Sequence, residues 1–390
     1  VLTLRKRIVL VFGTRAETVK MAPVAAELAR RAAHFESDIV VTGQHRELLD
    51  PFLECFGLHP SCDLHIMTPG QSLAQLTARS LAALEGAIRD RAPDLVLVQG
   101  DTATMLAGAL AAFYEKVSVG HVEAGLRTDQ KYDPFPEELF RRLTTVIADL
   151  HFAPTERARD ALRREHVPEE AIYLTGNTVV DALLAVAESR ATLAGTEFEW
   201  LADDPRRLIL VTAHRRENLG ERHRRVFTAL RNIAAAHEDV VVLYPVHPNA
   251  EVRRVAEDVL SGAERVILCE PPGYLTFVAL MQRCALIVTD SGGVQEEAPA
   301  LGKPVLVIRE TTERPEGIEA GVARLVGTET RNVQRAIERL LTDRGEYENM
   351  ARAANPYGDG RASVRIADAL EHAFGLRADR PADFVPGGPA

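Results

Sequence analysis

Short, uninterrupted runs of β-branched residues recur along this chain, and each runs into a polar cluster followed by residues at helical spacing. Arg7–Phe12 (RIVLVF) ends at Gly13 and gives way to a helical pattern over Glu17–Ala33. Asp38–Thr42, Asp94–Val98, Val117–Val122 and Ile172–Thr175 repeat the rhythm, with a short strand expected at Phe152–Pro154. Helices are expected at His45–Phe56, Gln71–Arg89, Thr102–Tyr114, Glu137–Leu150 and Glu156–His166. Apolar runs without polar alternation are strands buried on both faces, and helices between them act as crossovers. The fold is therefore restricted to α/β with parallel sheets covered on both sides. After a helix at Val179–Leu193 and an aperiodic polar stretch, Ala194–Arg206, the rhythm restarts with Leu208–Thr212, Val240–Tyr244, Val266–Cys269, Leu286–Thr289 and Val305–Ile308. A chain of 390 residues exceeds one ordinary core. The expectation is two doubly wound Rossmann-like domains facing across a cleft. The first spans 1–175 plus about 370–390, and the second spans 176–369. The Pro/Gly-rich tail after Gly375 is expected to be mobile.

Composition narrows the function classes. Acidic residues outnumber basic ones, 56 to 46. Such a surface repels nucleic-acid phosphates and anionic membranes, so any bound anion must meet a local pocket. Cys55, Cys62, Cys269 and Cys284 form no C-x-x-C pair, which argues against a zinc ribbon or thioredoxin motif. Unpaired thiols in a chain of this size point to the cytoplasm. No apolar run approaches the roughly 20 residues of a membrane span. The opening VLTLRKRIVLVFG places basic residues before an apolar stretch, as a signal peptide does. It lacks a small-residue cleavage site and is read as the first strand.

In doubly wound sheets, ligands sit beyond the carboxyl ends of the strands, and the unusual residues of this chain fall there. The first strand leads into Gly13, Thr14 and Arg15, with Lys20 a turn later. A glycine turn at a helix start offers backbone N–H groups to a phosphate. The next strands end in TGQH (Thr42–His45), QGDT (Gln99–Thr102) and HVEAGLRT (His121–Thr128), and DPFPEE (Asp133–Glu138) opens a helix. Buried strand ends rarely carry carboxylates without a use for them. Structural uses are open for each: helix capping for Asp101, a bridge from Glu123 to Arg127, and dipole partnership for the Glu137–Glu138 pair. The second half ends its strands in AHRREN (Ala213–Asn218), PVHPN (Pro245–Asn249), DSGGVQEE (Asp290–Glu297) and TTERPEG (Thr311–Gly317). A Ser-Gly-Gly turn suits phosphate oxygens, and a carboxylate one turn along suits ribose hydroxyls. Carboxylates in one half and cations with phosphate-binding turns in the other describe a nucleotide-sugar enzyme.

Taken in order, GTRAETVK, TGQH, QGDT, HVEAGLRT, PFPEE, FAPT, TGNTVVDAL, TAHRREN, PVHPN, TDSGGVQEEAPALGKPV, TERPEG and NPYGDG resemble the non-hydrolysing UDP-N-acetylglucosamine 2-epimerases. These are bacterial enzymes with the two-domain GT-B fold, and the likeness runs over residues 8–372. It implies inversion of carbon 2 of UDP-GlcNAc to give UDP-ManNAc, by anti elimination of UDP to 2-acetamidoglucal and re-addition. It implies no NAD, no metal, a cytoplasmic homodimer, and a role in supplying sugars for cell-surface polysaccharide. By motif position, the catalytic residues would be Asp101, Glu123, Glu137 and His214. Arg15, Lys20, Phe277, Ser291, Gly292, Gly293, Glu297 and Arg314 would bind substrate. Gln44, His45, Gln71, Arg215 and His247 would line a second, activating UDP-GlcNAc site. Two departures stand out: Ala16 replaces the proline of GTRPE, and Phe140 replaces an asparagine, placing an aromatic near Glu137. The second leaves open a 2-epimerase of a modified sugar, such as a 2,3-diacetamido uronic acid. A GT-B glycosyltransferase would explain the carboxylates poorly, and a nucleotide-sugar sensor would not need them.

Overall fold

Strand β1, Lys6–Phe12, shows how the first sheet is built. Ile8, Leu10 and Phe12 join one apolar cluster, while Val9 and Val11 join the cluster on the other face. Period-two alternation with both faces apolar buries the strand from both sides. The computed structural model describes residues 5–43, 46–68 and 70–388. The remaining strands of this sheet are β2 (Phe35–Val41), β3 (Cys62–Asp63), β4 (Leu95–Gln99), β5 (Ser118–Val122), β6 (Leu150–Ala153) and β7 (Ile172–Leu174). Their order is β3-β2-β1-β4-β5-β6-β7, and all neighbours pair in parallel.

A second sheet contains β8 (Arg207–Thr212), β9 (Val240–Pro245), β10 (Val266–Cys269), β11 (Leu286–Thr289), β12 (Val305–Val307) and β13 (Ala323–Leu325). Its order, β10-β9-β8-β11-β12-β13, is the dinucleotide-fold order, again all parallel. The chain thus forms two doubly wound α/β units, as the sequence pattern leads one to expect. One comprises residues 1–182 and 358–390, the other 183–357.

Three details differ from the sequence reading. Strands β3 and β13 were not expected; each is too short to show periodicity. The chain rejoins the first unit at Gly358 rather than near residue 370, because the helix Ala362–Ala373 packs Ile366 and Leu370 into the β1 cluster. Buried Asp181 caps that helix, accepting from the Ser363 N–H and hydroxyl at 2.7 Å each and from the Ala362 N–H at 3.1 Å. The tail, expected to be mobile, is anchored. Phe384 is buried, its N–H donates to Leu174 O at 2.8 Å, and the Arg380 guanidinium stacks 4.2 Å from the Tyr173 ring. That pairing covers the open edge of β7.

Candidate active site

Each sheet reverses its winding direction at one place, between β1 and β4 in the first unit and between β8 and β11 in the second. Ligands of doubly wound sheets bind at such switch points. The turns there are Gly13-Thr14-Arg15 and Gly100-Asp101-Thr102 in the first unit, and Ala213-His214-Arg215 and Asp290-Ser291-Gly292 in the second.

In the first unit, Gly13 is required by close approach. A Cβ there would stand 1.9 Å from the Thr42 hydroxyl. The turn does not offer free N–H groups at Gly13 and Thr14, contrary to the sequence reading. Both donate to Glu17 Oε2 at 2.8 Å, and Thr14 caps the helix Arg15–Arg30 in return. Thr102, beyond β4, donates its hydroxyl to the other Glu17 oxygen. Burial pushes the Glu17 carboxyl above its ordinary value, outweighing those hydrogen bonds. Arg15 is exposed, its guanidinium 5.7 Å from the Phe52 ring.

Glu123 directly follows β5 and is 6% exposed. Its carboxylate accepts from Gln99 Nε2 at 2.6 Å and Asn177 Nδ2 at 2.9 Å, and it ion-pairs with Lys20. The bridge to Arg127 considered from sequence is not made; Arg127 instead holds Glu165 at 2.7 Å. Glu123 has φ +66°, a left-handed conformation that costs a side-chain-bearing residue roughly 1 kcal/mol or more. Strain of that kind persists where the surroundings fix a side chain in place, and here three donors do so.

Asp101 does not cap the next helix. Thr102 does, accepting from the Met105 N–H at 3.1 Å. Asp101 instead accepts from Arg141 Nη1 at 2.7 Å. Because Gln99 and Val122 are register partners, Asp101 and Glu123 rise from neighbouring strand ends. Glu137 begins the helix Glu137–Ile147 after cis Asp133–Pro134 and Phe135–Pro136 bonds. Its Oε2 is enclosed and has no hydrogen-bond partner among the described residues. Phe140 turns away into the core cluster with Val98, Met105 and Ala109, so it is a packing residue rather than an aromatic lining the site. His121 and His151, register partners on β5 and β6, are pulled by burial to about 3 and about 4 and are neutral at physiological pH.

In the second unit, Asp290 organises the switch point. Fully buried, it accepts from the His214 N–H with both oxygens at 3.0 Å and from the Arg215 N–H at 3.0 Å. Asn218 Nδ2 donates at 3.1 Å, and the His214 ring nitrogen Nδ1 stands 3.3 Å away. Burial works to raise the Asp290 carboxyl, but His223, His214 and the backbone donors prevail and hold it below the usual value. His214 stacks on exposed His247 with ring centroids 5.4 Å apart.

At the start of the short helix Gly292–Glu297, a Cβ on Gly292 would stand 3.6 Å from Arg215 Nη2 and 3.9 Å from Arg314 Nη2. The structure therefore brings two guanidiniums to the Ser291–Gly293 turn. Arg314 also donates to buried Glu296, and its carbonyl accepts from Tyr357 Oη at 3.1 Å. Glu297 accepts from Tyr274 Oη at 3.2 Å, and Gly293 lies beside it. Phe277, half-buried, is on the same helix as Tyr274.

In the first unit, Asp101 and Glu123 rise from the ends of β4 and β5 with Lys20 paired to Glu123, and Glu137 opens the helix whose Arg141 holds Asp101. The second gathers His214, Arg215, His247, Ser291–Gly293, Glu297 and Arg314 around β8 and β11. Gln71, whose amide contacts Met67 Sδ at 2.6 Å, belongs to the first unit. Gln44 and His45 lie outside the described residues. Sequence reasoning assigned no role to Gln99, Asn177 and Arg141, which hold the carboxylates, or to Asp290, and it read Glu138 only as a helix-dipole partner, not as the anchor of Arg141. The signals were present as an acidic pair with Arg141 one turn on, and an aspartate ending an apolar strand. Among the described residues, no three His, Cys, Asp or Glu side chains are grouped to hold a metal, and no helix is long and apolar enough to cross a membrane.

Comparison with known proteins bears on the family and the fold. The family model described as UDP-N-acetylglucosamine 2-epimerase matches residues 7–371. The chain is 50% identical to the UDP-N-acetylglucosamine 2-epimerase of Salmonella typhimurium, over 94% of this chain and 98% of that one. It is 49% identical to that of Bacillus subtilis, over 97% and 98%. The crystal structure of UDP-GlcNAc 2-epimerase from Neisseria meningitidis bound to UDP-GlcNAc is 44% identical, with a TM-score of 0.85 over 93% of this chain and 99% of that one.

Proposed function

The chain belongs to the UDP-N-acetylglucosamine 2-epimerase family, and from that premise we propose that it interconverts UDP-GlcNAc and UDP-ManNAc by inverting carbon 2. The reaction breaks the carbon 2–hydrogen and carbon 1–oxygen bonds, forms a double bond between carbons 1 and 2, and releases UDP. Proton return from the opposite face and re-addition of UDP complete the inversion. The hydrogen at carbon 2 lies beside no carbonyl and is barely acidic. Departure of UDP therefore runs ahead, and the ring becomes cationic. Carboxylates close to that ring stabilise the charge and move the proton.

The observation that carries this reading is the placement of Asp101 and Glu123 at neighbouring strand ends of the first unit, with Glu137 opening the helix that holds Asp101 through Arg141. Glu123 is held by Lys20, Gln99 and Asn177, Asp101 is held by Arg141, and Glu137 keeps an enclosed oxygen without a partner among the described residues. Binding alone needs no such set. His214 with Arg15 and Lys20 would act on the departing diphosphate. Ser291, Gly292 and Gly293 with Arg314 would hold phosphate oxygens, Glu297 the ribose, and Phe277 the uracil.

The enzyme works in this reading without NAD or a metal ion, as a cytoplasmic homodimer feeding cell-surface polysaccharide synthesis. A second UDP-GlcNAc bound near Gln44, His45, Gln71, Arg215 and His247 would activate it. Proton NMR of UDP-GlcNAc incubated with the protein and EDTA, with no acceptor and no NAD, should show UDP-ManNAc growing to a fixed ratio. An unchanged spectrum would rule the reading out, and transfer only on adding an acceptor would favour a glycosyltransferase.

A further inference from the structure

Glu137 and Glu138 are adjacent in sequence, and only the first enters the reaction proposed above. Glu138 is completely buried. It accepts from the Thr128 N–H at 3.0 Å, from Arg141 Nη2 at 3.0 Å and from Arg142 Nε at 3.0 Å. Arg141 is itself 6% exposed, and its other terminal nitrogen donates to Asp101 at 2.7 Å. One planar guanidinium thus joins a buried structural carboxylate to a half-exposed one at the end of β4. Arginine is suited to this because its nitrogens point in fixed directions in one plane.

We propose that Arg141 is a positioning residue, anchored by Glu138, that fixes the direction of the Asp101 carboxylate and keeps it ionised. The role rests on Asp101 acting on the sugar, and it deepens that reading. A bare carboxylate at a strand end would rotate and take up a proton as substrate excluded water. With Arg141 in place, the carboxylate is pinned through Oδ2 and its plane is set. Glu138 also holds Thr128, on the segment between Glu123 and Glu137, so the same anchor ties down the connection between the other two carboxylates. Charged groups stand on the neighbouring elements. Arg142 lies on the same helix and pairs with Asp129 at 2.9 Å. Glu123 with Lys20 lies at the next strand end, and Glu17 bonds Thr102 beside Asp101. His121, bonded to Gly100 O at 2.9 Å, is uncharged.

The test titrates Asp101 directly, by carboxyl-carbon NMR of protein labelled at aspartate, with the signal assigned from Asp101→Asn. Turnover is followed across pH in the same variants. Arg141→Gln should move the Asp101 midpoint upward by about one pH unit or more. The acid limb of turnover should move with it, turnover should fall about tenfold or more, and KM should stay within about threefold. Arg141→Lys should restore the midpoint while leaving turnover low, because the charge returns without the two-pronged geometry. If Arg141→Gln misfolds with Glu138 left unpaired, the Glu138→Gln, Arg141→Gln double variant removes both charges and is titrated instead. An Asp101 midpoint and acid limb that stay in place in a folded variant would overturn the proposal. Full activity of Asp101→Asn would instead overturn the role of Asp101 in the reaction, whatever the titration shows.

Discussion

Both units bind their switch-point turns together with one buried carboxylate, but they do so from opposite sides. In the first unit the carboxylate is Glu17, on the helix after β1, reaching across to Thr102 beyond β4. In the second it is Asp290, directly beyond β11, reaching back to the backbone of His214 and Arg215 beyond β8. Among the described residues the donors to Glu17 are the neutral groups of Gly13, Thr14 and Thr102, so burial wins and its carboxyl is pushed up. Asp290 faces two histidines as well as backbone N–H groups, so its charged form is favoured despite burial. The same topological need is met by a tolerant group in one unit and a committed anion in the other. The difference matches the chemistry proposed for each. The first unit must hold several carboxylates close together and gains nothing from another fixed negative charge. The second must orient cationic and hydrogen-bonding groups toward a diphosphate, and a fixed anion behind His214 and Arg215 does that.

Four substitutions press on this comparison. The largest effect is expected in the first unit. Glu137→Gln or Glu123→Gln keeps the shape but removes a charge or a proton carrier, and turnover should fall roughly 10²-fold or more. UDP affinity, measured by calorimetry, should stay within about threefold. Equal losses of both would erase the division between the units.

Next comes Asp290→Asn, which leaves buried donors facing an amide. We expect about 2–3 kcal/mol of destabilisation, read by hydrogen exchange as loosening within residues 183–357. UDP affinity should fall as well. The smallest effect is that of Glu17→Gln, at about 1 kcal/mol, confined to the first unit.

The pH dependences of the two parent groups should run in opposite directions. The Asp290 carboxyl is lowered by folding, so its contribution is complete above the unfolded value and is lost as pH falls through the folded one. The Glu17 carboxyl is raised, so its contribution is complete below the unfolded value and is lost as pH rises through the folded one. On acidification, exchange protection around β8 and β11 should therefore fall before that around β1 and β4. The reverse order would contradict the assignment.

Much of this was legible in the sequence, for reasons the structure makes plain. The long β-branched runs carry their own periodicity, so the strands that line both switch points appear within a residue or two of their expected bounds. The polar clusters that end them are where the candidate residues are found. The hidden parts depend on partners distant in sequence. Nothing near Glu123 shows that Lys20 and Asn177 will meet it, and Arg127 was a plausible but wrong partner until Glu165 came within reach. At Gly13, sequence could not show that Glu17 would take the backbone donors a phosphate might otherwise use. Phe140 looked like a change at the site because it is near Glu137 in the chain, yet the helix turns it into the core. Strands β3 and β13 exist only because a neighbouring strand offers them a register.

The central claim is that carbon 2 is inverted through elimination by the carboxylates of the first unit. Running the reaction with UDP-GlcNAc in deuterium oxide tests it most directly. Product isolated after one passage should carry deuterium at carbon 2, because the proton regained need not be the one lost, and prolonged incubation should release UDP and 2-acetamidoglucal. Product that retains only protium at carbon 2 would contradict the account and point to a transfer in which the original hydrogen is kept.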